Sequence, residues 1–206
     1  MISARQAFER LQAGNSRFAA DVLGKETLTT QIRRSELVVG QAPSAIILGC
    51  SDSRVPVEII FDQGLGDLFV IRVAGNIVAP SQVGSVEFAA EQFGTRLVIV
   101  LGHTMCGAVT ATLDELERPS ENRSPNLHAI VEQIRPSMET LLEAETKQSR
   151  DELIRLAVRA NIRASANHLR HGSEILEGLI RQDGLLVVGA EYSLETGLVD
   201  FFDGRP

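Results

Sequence analysis

The chain alternates short, continuously apolar runs with stretches of helical periodicity. Ala45-Ile46-Ile47-Leu48-Gly49, Leu68-Phe69-Val70-Ile71-Arg72-Val73-Ala74, Leu97-Val98-Ile99-Val100-Leu101-Gly102 and Leu185-Leu186-Val187-Val188-Gly189-Ala190 read as strands buried on both faces. A last strand is expected at Gly197-Leu198-Val199-Asp200-Phe201-Phe202, after a turn at Ser193-Leu194-Glu195-Thr196. So short a link suits an antiparallel neighbour. Between the strands, Val83, Val86, Ala90 and Phe93 recur at helical spacing, with Ser81 as the expected cap and Gly94 as the stop. Further helices are expected from about Cys106 to Leu116, near 126–145, near 150–170 and at about 173–182. The third of these has a capping signature in Ser149-Arg150-Asp151-Glu152. The residues from 117 to 126, with two prolines and two asparagines, read as a surface loop.

The stretch before about Val39 reads differently. Its helices have thin apolar faces, such as Phe8, Leu11 and Phe18, and helices of that kind need a partner surface. That surface is either their own domain or another subunit. The expected architecture is α/β: a mainly parallel sheet flanked by helices, with an antiparallel C-terminal strand and an N-terminal helical arm. Residues 1–206 are read as one domain, 1–40 forming the arm and 41–206 the core.

Composition narrows the function classes. A net charge of -7 with no basic stretch argues against nucleic acid as a partner. No apolar run approaches the ~20 residues of a membrane span, so no membrane is expected. Ser3 to Arg10 looks like a helix rather than an export signal, and a cytoplasmic protein is the expectation. In that setting the two cysteines point to metal binding or catalysis rather than to a disulfide.

Both cysteines lie just beyond apolar runs, in Cys50-Ser51-Asp52-Ser53-Arg54 and His103-Thr104-Met105-Cys106-Gly107. Open parallel sheets place their chemistry at such carboxyl-terminal strand ends. Two thiolates and an imidazole suit zinc, which is borderline-soft and has no geometric preference of its own. The plainer interpretation is two buried cysteines and a surface histidine. Asp52 has two competing uses: as a fourth ligand it closes the site, whereas paired with Arg54 it leaves a position for water. His128 beside the loop, and His168 and His171 near a helix end, read as solvated or structural.

Cys-Ser-Asp-Ser-Arg, followed about fifty residues later by Gly-His-Thr-Met-Cys-Gly, resembles the β-class carbonic anhydrases. The resemblance extends through Asp67–Arg72, Ala74-Gly75-Asn76 and Gly84–Ala89. It implies a zinc lyase that reversibly hydrates carbon dioxide to bicarbonate and a proton, with one zinc ion per subunit. It also implies a homo-oligomer, a dimer or a tetramer, with sites at the subunit interface. Cys50, His103 and Cys106 would hold the metal. Asp52 would be either the fourth ligand or, paired with Arg54, the group that orients the zinc water for attack as hydroxide. Gln41 and the Gly107 backbone N–H would donate to a substrate oxygen. Phe69, Ala74 and Phe88 would line an apolar pocket contributed partly by the partner subunit; the family often has tyrosine where Phe88 stands. Arg72 matches the arginine of a non-catalytic bicarbonate site found in one subgroup, but that site needs a tryptophan and this chain has none. The open, Asp52–Arg54-paired form typical of the plant-like subgroup is therefore expected. Relatives of this fold that hydrolyse carbonyl sulfide or carbon disulfide suggest another substrate class, and a structural zinc-thiolate domain is the non-enzymatic option.

Overall fold

Two apolar clusters, one on each face of a single sheet, organise the molecule. The computed structural model describes residues 2–22, 24, 31–118, 124–143 and 148–206. Among the described residues, five strands, β1 (Ala45–Gly49), β2 (Leu68–Arg72), β3 (Leu97–His103), β4 (Leu186–Tyr192) and β5 (Val199–Asp203), lie in the order β2-β1-β3-β4-β5. The first four are parallel, and β5 runs antiparallel to β4 with an irregularity at Gly189/Ala190. Side chains alternate between faces along a strand. Ile46 and Leu48 accordingly join one cluster, while Ala45 and Ile47 join the other.

Residues of α4 (Pro80–Gln92), α5 (Gly107–Glu117), α6 (Pro125–Glu143), α7 (Arg150–His171) and α8 (Glu174–Gln182) pack into the first cluster. Those of α1 (Ala4–Ala19) and the single-turn α3 (Val57–Ile60) pack into the second. α2 (Gln31–Leu37) buries no residue at all. Among the described residues, no helix is long and apolar enough to cross a membrane.

The strands and long helices fall where the apolar pattern places them, with shifted ends. Ser81 is not the cap of α4: Ala79 holds that position, and Pro80 opens the helix, where a missing N–H costs nothing. β2 stops at Arg72 because the chain turns into a 3-10 segment, Ala74–Asn76. Ser149 does cap α7, its hydroxyl accepting from Glu152 N at 3.3 Å. Of the loop expected over 117–126, residues 119–123 lie outside the described residues.

α1 packs on its own sheet. Ala4, Ala7, Phe8 and Leu11 are buried, and Phe8 meets Phe201 edge-on at 4.9 Å. Buried Asn15 donates to Ile60 O at 3.3 Å and Gly197 O at 2.9 Å, and accepts from Val199 N at 2.8 Å. This one side chain ties α1 to α3 and β5. Gly14 allows that approach, because a Cβ there would lie 1.8 Å from Phe61 O. Alanine normally stabilises a helix over glycine by about 0.5–1 kcal/mol. Here a backbone clash opposes it, and overpacking of this kind costs about 1–3 kcal/mol. Gly14→Ala should therefore lower unfolding stability in urea by about 1 kcal/mol or more. An unchanged or raised midpoint would show that α1 and α3 are not in such close contact.

Candidate metal centre

β1 and β3 are neighbours, and Gly49 lies level with Leu101. From β1 the chain passes to β2 on one side, and from β3 to β4 on the other. Their carboxyl ends therefore border the crevice at which open α/β sheets bind ligands. Cys50 is the residue after β1, and His103 is the last of β3. Cys106 is the N-cap of α5. Between the last two, Met105 adopts a left-handed φ of 55° that folds the chain back on itself. For a non-glycine residue that conformation costs about 1–2 kcal/mol, a kind of strain that tends to collect at functional sites.

Cys50, His103 and Cys106 are 4%, 0% and 1% exposed, and their donor atoms all lie within 4.8 Å of one another. The sulfurs are 4.0 Å apart, far beyond disulfide distance. Two sulfurs on one tetrahedral zinc at ~2.3 Å each would stand about 3.8 Å apart. His103 Nδ1 lies 2.9 Å from Thr104 O, an acceptor, so Nδ1 carries the proton and Nε2 presents a lone pair. That Nε2 is buried and makes no hydrogen bond among the described residues. A bare imidazole lone pair buried between two sulfurs is costly unless something fills the space. A borderline-soft cation fits this donor set.

Thr104 is itself held in place. Its N–H donates to Tyr192 O at 2.9 Å, and its hydroxyl accepts from Leu194 N at 3.0 Å. The sulfurs ionise as a pair. Cys50 is pushed well below the usual thiol range, chiefly by its hydrogen bond with Cys106 and further by the backbone of Asp52 and Gly75, with burial opposing. Cys106 is pushed up by the same contact and by burial. The Ala108 and Val109 amides at the start of α5 oppose this rise, although no cap hydrogen bond of normal geometry forms. The contact thus favours ionisation of Cys50 over Cys106, and a divalent cation would favour the thiolate of both.

Asp52 is paired with Arg54. The guanidinium grips both carboxylate oxygens, at 2.9 and 2.8 Å, and Arg54 N donates to Oδ1 at 3.0 Å. Asp52 Oδ2 lies 3.8 Å from His103 Nε2, so the carboxylate borders the donor cluster. Arg72, at the end of β2, braces the loop by donating to Cys50 O at 3.0 Å and Asp52 O at 2.6 Å.

The substrate residues expected from the sequence divide into two groups. Gly107 opens α5 beside Cys106, where helix amides lack intrahelical acceptors. Ala74 walls an apolar cavity of about 320 Å³ together with Ala108, Ala111, Leu127, Ile130 and Val131. Gln41, by contrast, is exposed ahead of β1. Phe69 lies level with Ile46, four residues before Cys50 and thus about 13 Å back along the strand. The Phe69 ring lies tilted against Phe93 at 6.0 Å and against Phe88, 51% exposed, at 6.2 Å. Within one chain, Gln41, Phe69 and Phe88 are not brought to the ligands. Sequence reasoning missed the Arg72 brace, the Gly75 amide on Cys50 and the Thr104 anchor. For the first two, the Arg-Val-Ala-Gly-Asn run after β2 was a usable signal, since a glycine just past a strand end invites close backbone approach.

Arg54 holds the Asp52 carboxyl well below the usual carboxylate range, first through its side-chain hydrogen bonds. The sign follows: a depressed folded pKa contributes stability at pH values above the ordinary carboxylate pKa, lost only as pH falls through the depressed one. Carbon-detected NMR of metal-free protein should show Asp52 ionised down to about pH 3, with Arg54→Met returning it toward the ordinary value of about 3.9. Identical titration in both proteins would show that the pair does not persist in solution.

Comparison with known proteins agrees with this geometry. A family model described as carbonic anhydrase matches residues 45–199. A carbonic anhydrase of Mycobacterium tuberculosis is 37% identical, over 93% of this chain and 89% of its own length. One from Mycolicibacterium smegmatis is 44% identical over 64% of this chain; the match spans 63% of that relative. Among solved structures, a β-carbonic anhydrase of Aspergillus fumigatus superposes with a TM-score of 0.75 at 27% identity, covering 97% of this chain and 92% of its own. On the fold, the paired Cys50 and His103–Cys106 segments and these matches, the chain belongs to the β-carbonic anhydrases, a family of lyases.

Proposed function

We propose that the protein reversibly hydrates carbon dioxide to bicarbonate and a proton, with one zinc ion per chain held by Cys50, His103 and Cys106. The observation that carries this is the buried, unpartnered His103 Nε2 between two sulfurs, next to an arginine-paired carboxylate. A zinc ion in that cluster supplies a Lewis acid that makes water acidic enough to deliver hydroxide near neutral pH.

The remaining work falls to the protein. Arg54 turns both Asp52 oxygens toward itself and keeps the carboxylate charged, leaving it as a hydrogen-bond acceptor that orients the attacking water rather than as a fourth ligand. The Gly107 amide, at the positive end of α5, suits the charge that develops on the substrate oxygen. As the new oxygen–carbon bond forms, one C=O π bond opens onto that oxygen, and the released proton leaves to solvent. Carbon dioxide has no net dipole, and an apolar wall such as the Ala74–Ala108 cavity admits it while offering water no partners.

The reading extends to assembly. Ile32, Val38 and Val39 are 73%, 85% and 94% exposed, and β2 is an open sheet edge beside half-exposed Phe88. A homo-oligomer that covers this face would also account for Gln41, Phe69 and Phe88 standing away from the ligands of their own chain, since a partner copy could bring its own set to them.

Stopped-flow hydration of carbon dioxide with zinc quantification tests the central reading. Wild type should carry one zinc and be active, and Asp52→Asn should keep its zinc while losing activity about 10- to 100-fold. Parallel loss of zinc and activity would make Asp52 chiefly a ligand; a zinc-loaded, inactive wild type would sink the reading. Sedimentation should show at least a dimer, and a monomer active at assay concentration would overturn the shared-site assembly.

A further inference from the structure

α7 carries two polar side chains on a face otherwise formed by Ala157, Val158, Ile162, Ala166 and Leu169. These are Asn161, 2% exposed, and Ser165, 5% exposed. Buried polar groups need partners, and both find theirs on one short segment. Asn161 Nδ2 donates to Gly75 O at 2.8 Å, and Ser165 Oγ donates to Asn76 O at 3.0 Å. The Gly75 amide points the other way, donating to Cys50 Sγ at 3.4 Å.

That segment is poorly placed to hold itself. Gly75 and Asn76 both have left-handed φ, 70° and 44°, and Asn76 N to Val73 O at 3.1 Å is the backbone bond that closes the turn. A Cβ on Gly75 would stand 2.7 Å from Ile134 Cδ1 and 3.2 Å from Ala108 Cβ, so the turn is fitted between α6 and α5. Two consecutive left-handed residues are unfavourable in isolation. Two donors from a packed helix lock them.

We infer that Asn161 and Ser165 are positioning residues for the metal centre: by gripping the Gly75–Asn76 turn, they hold an N–H group on the Cys50 sulfur. This N–H to sulfur bond draws electron density from the thiolate and fixes its direction, as outer partners do for other metal ligands. The inference rests on the metal reading of the cluster, and the test separates the two.

Cobalt-substituted protein reports thiolate donation through its sulfur-to-metal charge-transfer band, and a chelator in excess reports zinc release. Asn161→Leu should move the band to lower energy and speed zinc release about 10-fold or more; Ser165→Ala should do the same to a smaller extent. Leu169→Ala, eight residues along α7, serves as the control: it opens a cavity and lowers Tm but should leave the band in place. An unmoved band in folded Asn161→Leu, or an equal shift in Leu169→Ala at matched Tm loss, would overturn the inference. Should Asn161→Leu fail to fold, Ser165→Ala decides alone. A wild type that takes up neither metal would defeat the metal reading itself, and this inference with it.

Discussion

The parallel pairing of β1 with β3 is the constraint on which everything else here depends. Its register sets Gly49 beside Leu101, so that the next residues of each strand emerge side by side. A one-residue slip would exchange the side chains packed into the two apolar clusters, so close packing on both faces fixes that register. The positions of Cys50 and His103 are thus determined by burial along the whole length of both strands. Cys106 joins them through a strained residue, Met105, and the start of α5.

Around this pair the site is built in layers that differ in stiffness. The donors are buried and reached through strand ends. The next layer is backbone: the Thr104 carbonyl on His103, the Gly75 amide on Cys50 and the two carbonyls gripped by Arg72. Asp52 and Arg54 are more accessible, with side chains 18% and 51% exposed. Charge balance fits this arrangement. Two sulfurs and a carboxylate within a few ångströms concentrate negative charge, and the Arg54 guanidinium is the cation seated directly on the carboxylate. A divalent ion among the donors would complete the balance.

Much of this was legible in the chain itself. Continuous Val/Ile/Leu runs announced the parallel strands, and the spacing of Cys50, His103 and Cys106 announced the donors, with Asp52 and Arg54 as an ion pair beside them, because strand ends are the places where a linear pattern becomes a spatial one. Element boundaries were less legible. Pro80 opens α4 ahead of Ser81, and the turn after Arg72 depends on contacts with α5, α6 and α7 that no local window contains. Asn161 and Ser165 were missed for a related reason. On an otherwise apolar helical face they look like ordinary interruptions, and only tertiary structure shows that both donate to the same turn. Gln41, Phe69 and Phe88 were legible only as part of a family pattern, and their positions in one chain show why: nothing local connects them to the donors.

The sulfur pair has a consequence for redox chemistry. Two sulfurs in contact form an electron-rich unit, and the lone pairs that would bind a cation are the same ones that an oxidant attacks. Burial slows access, but it does not change which electrons are exposed when the cluster is empty. A divalent ion bound there would therefore act as a protecting group, and keeping the site filled would keep its ligands reduced.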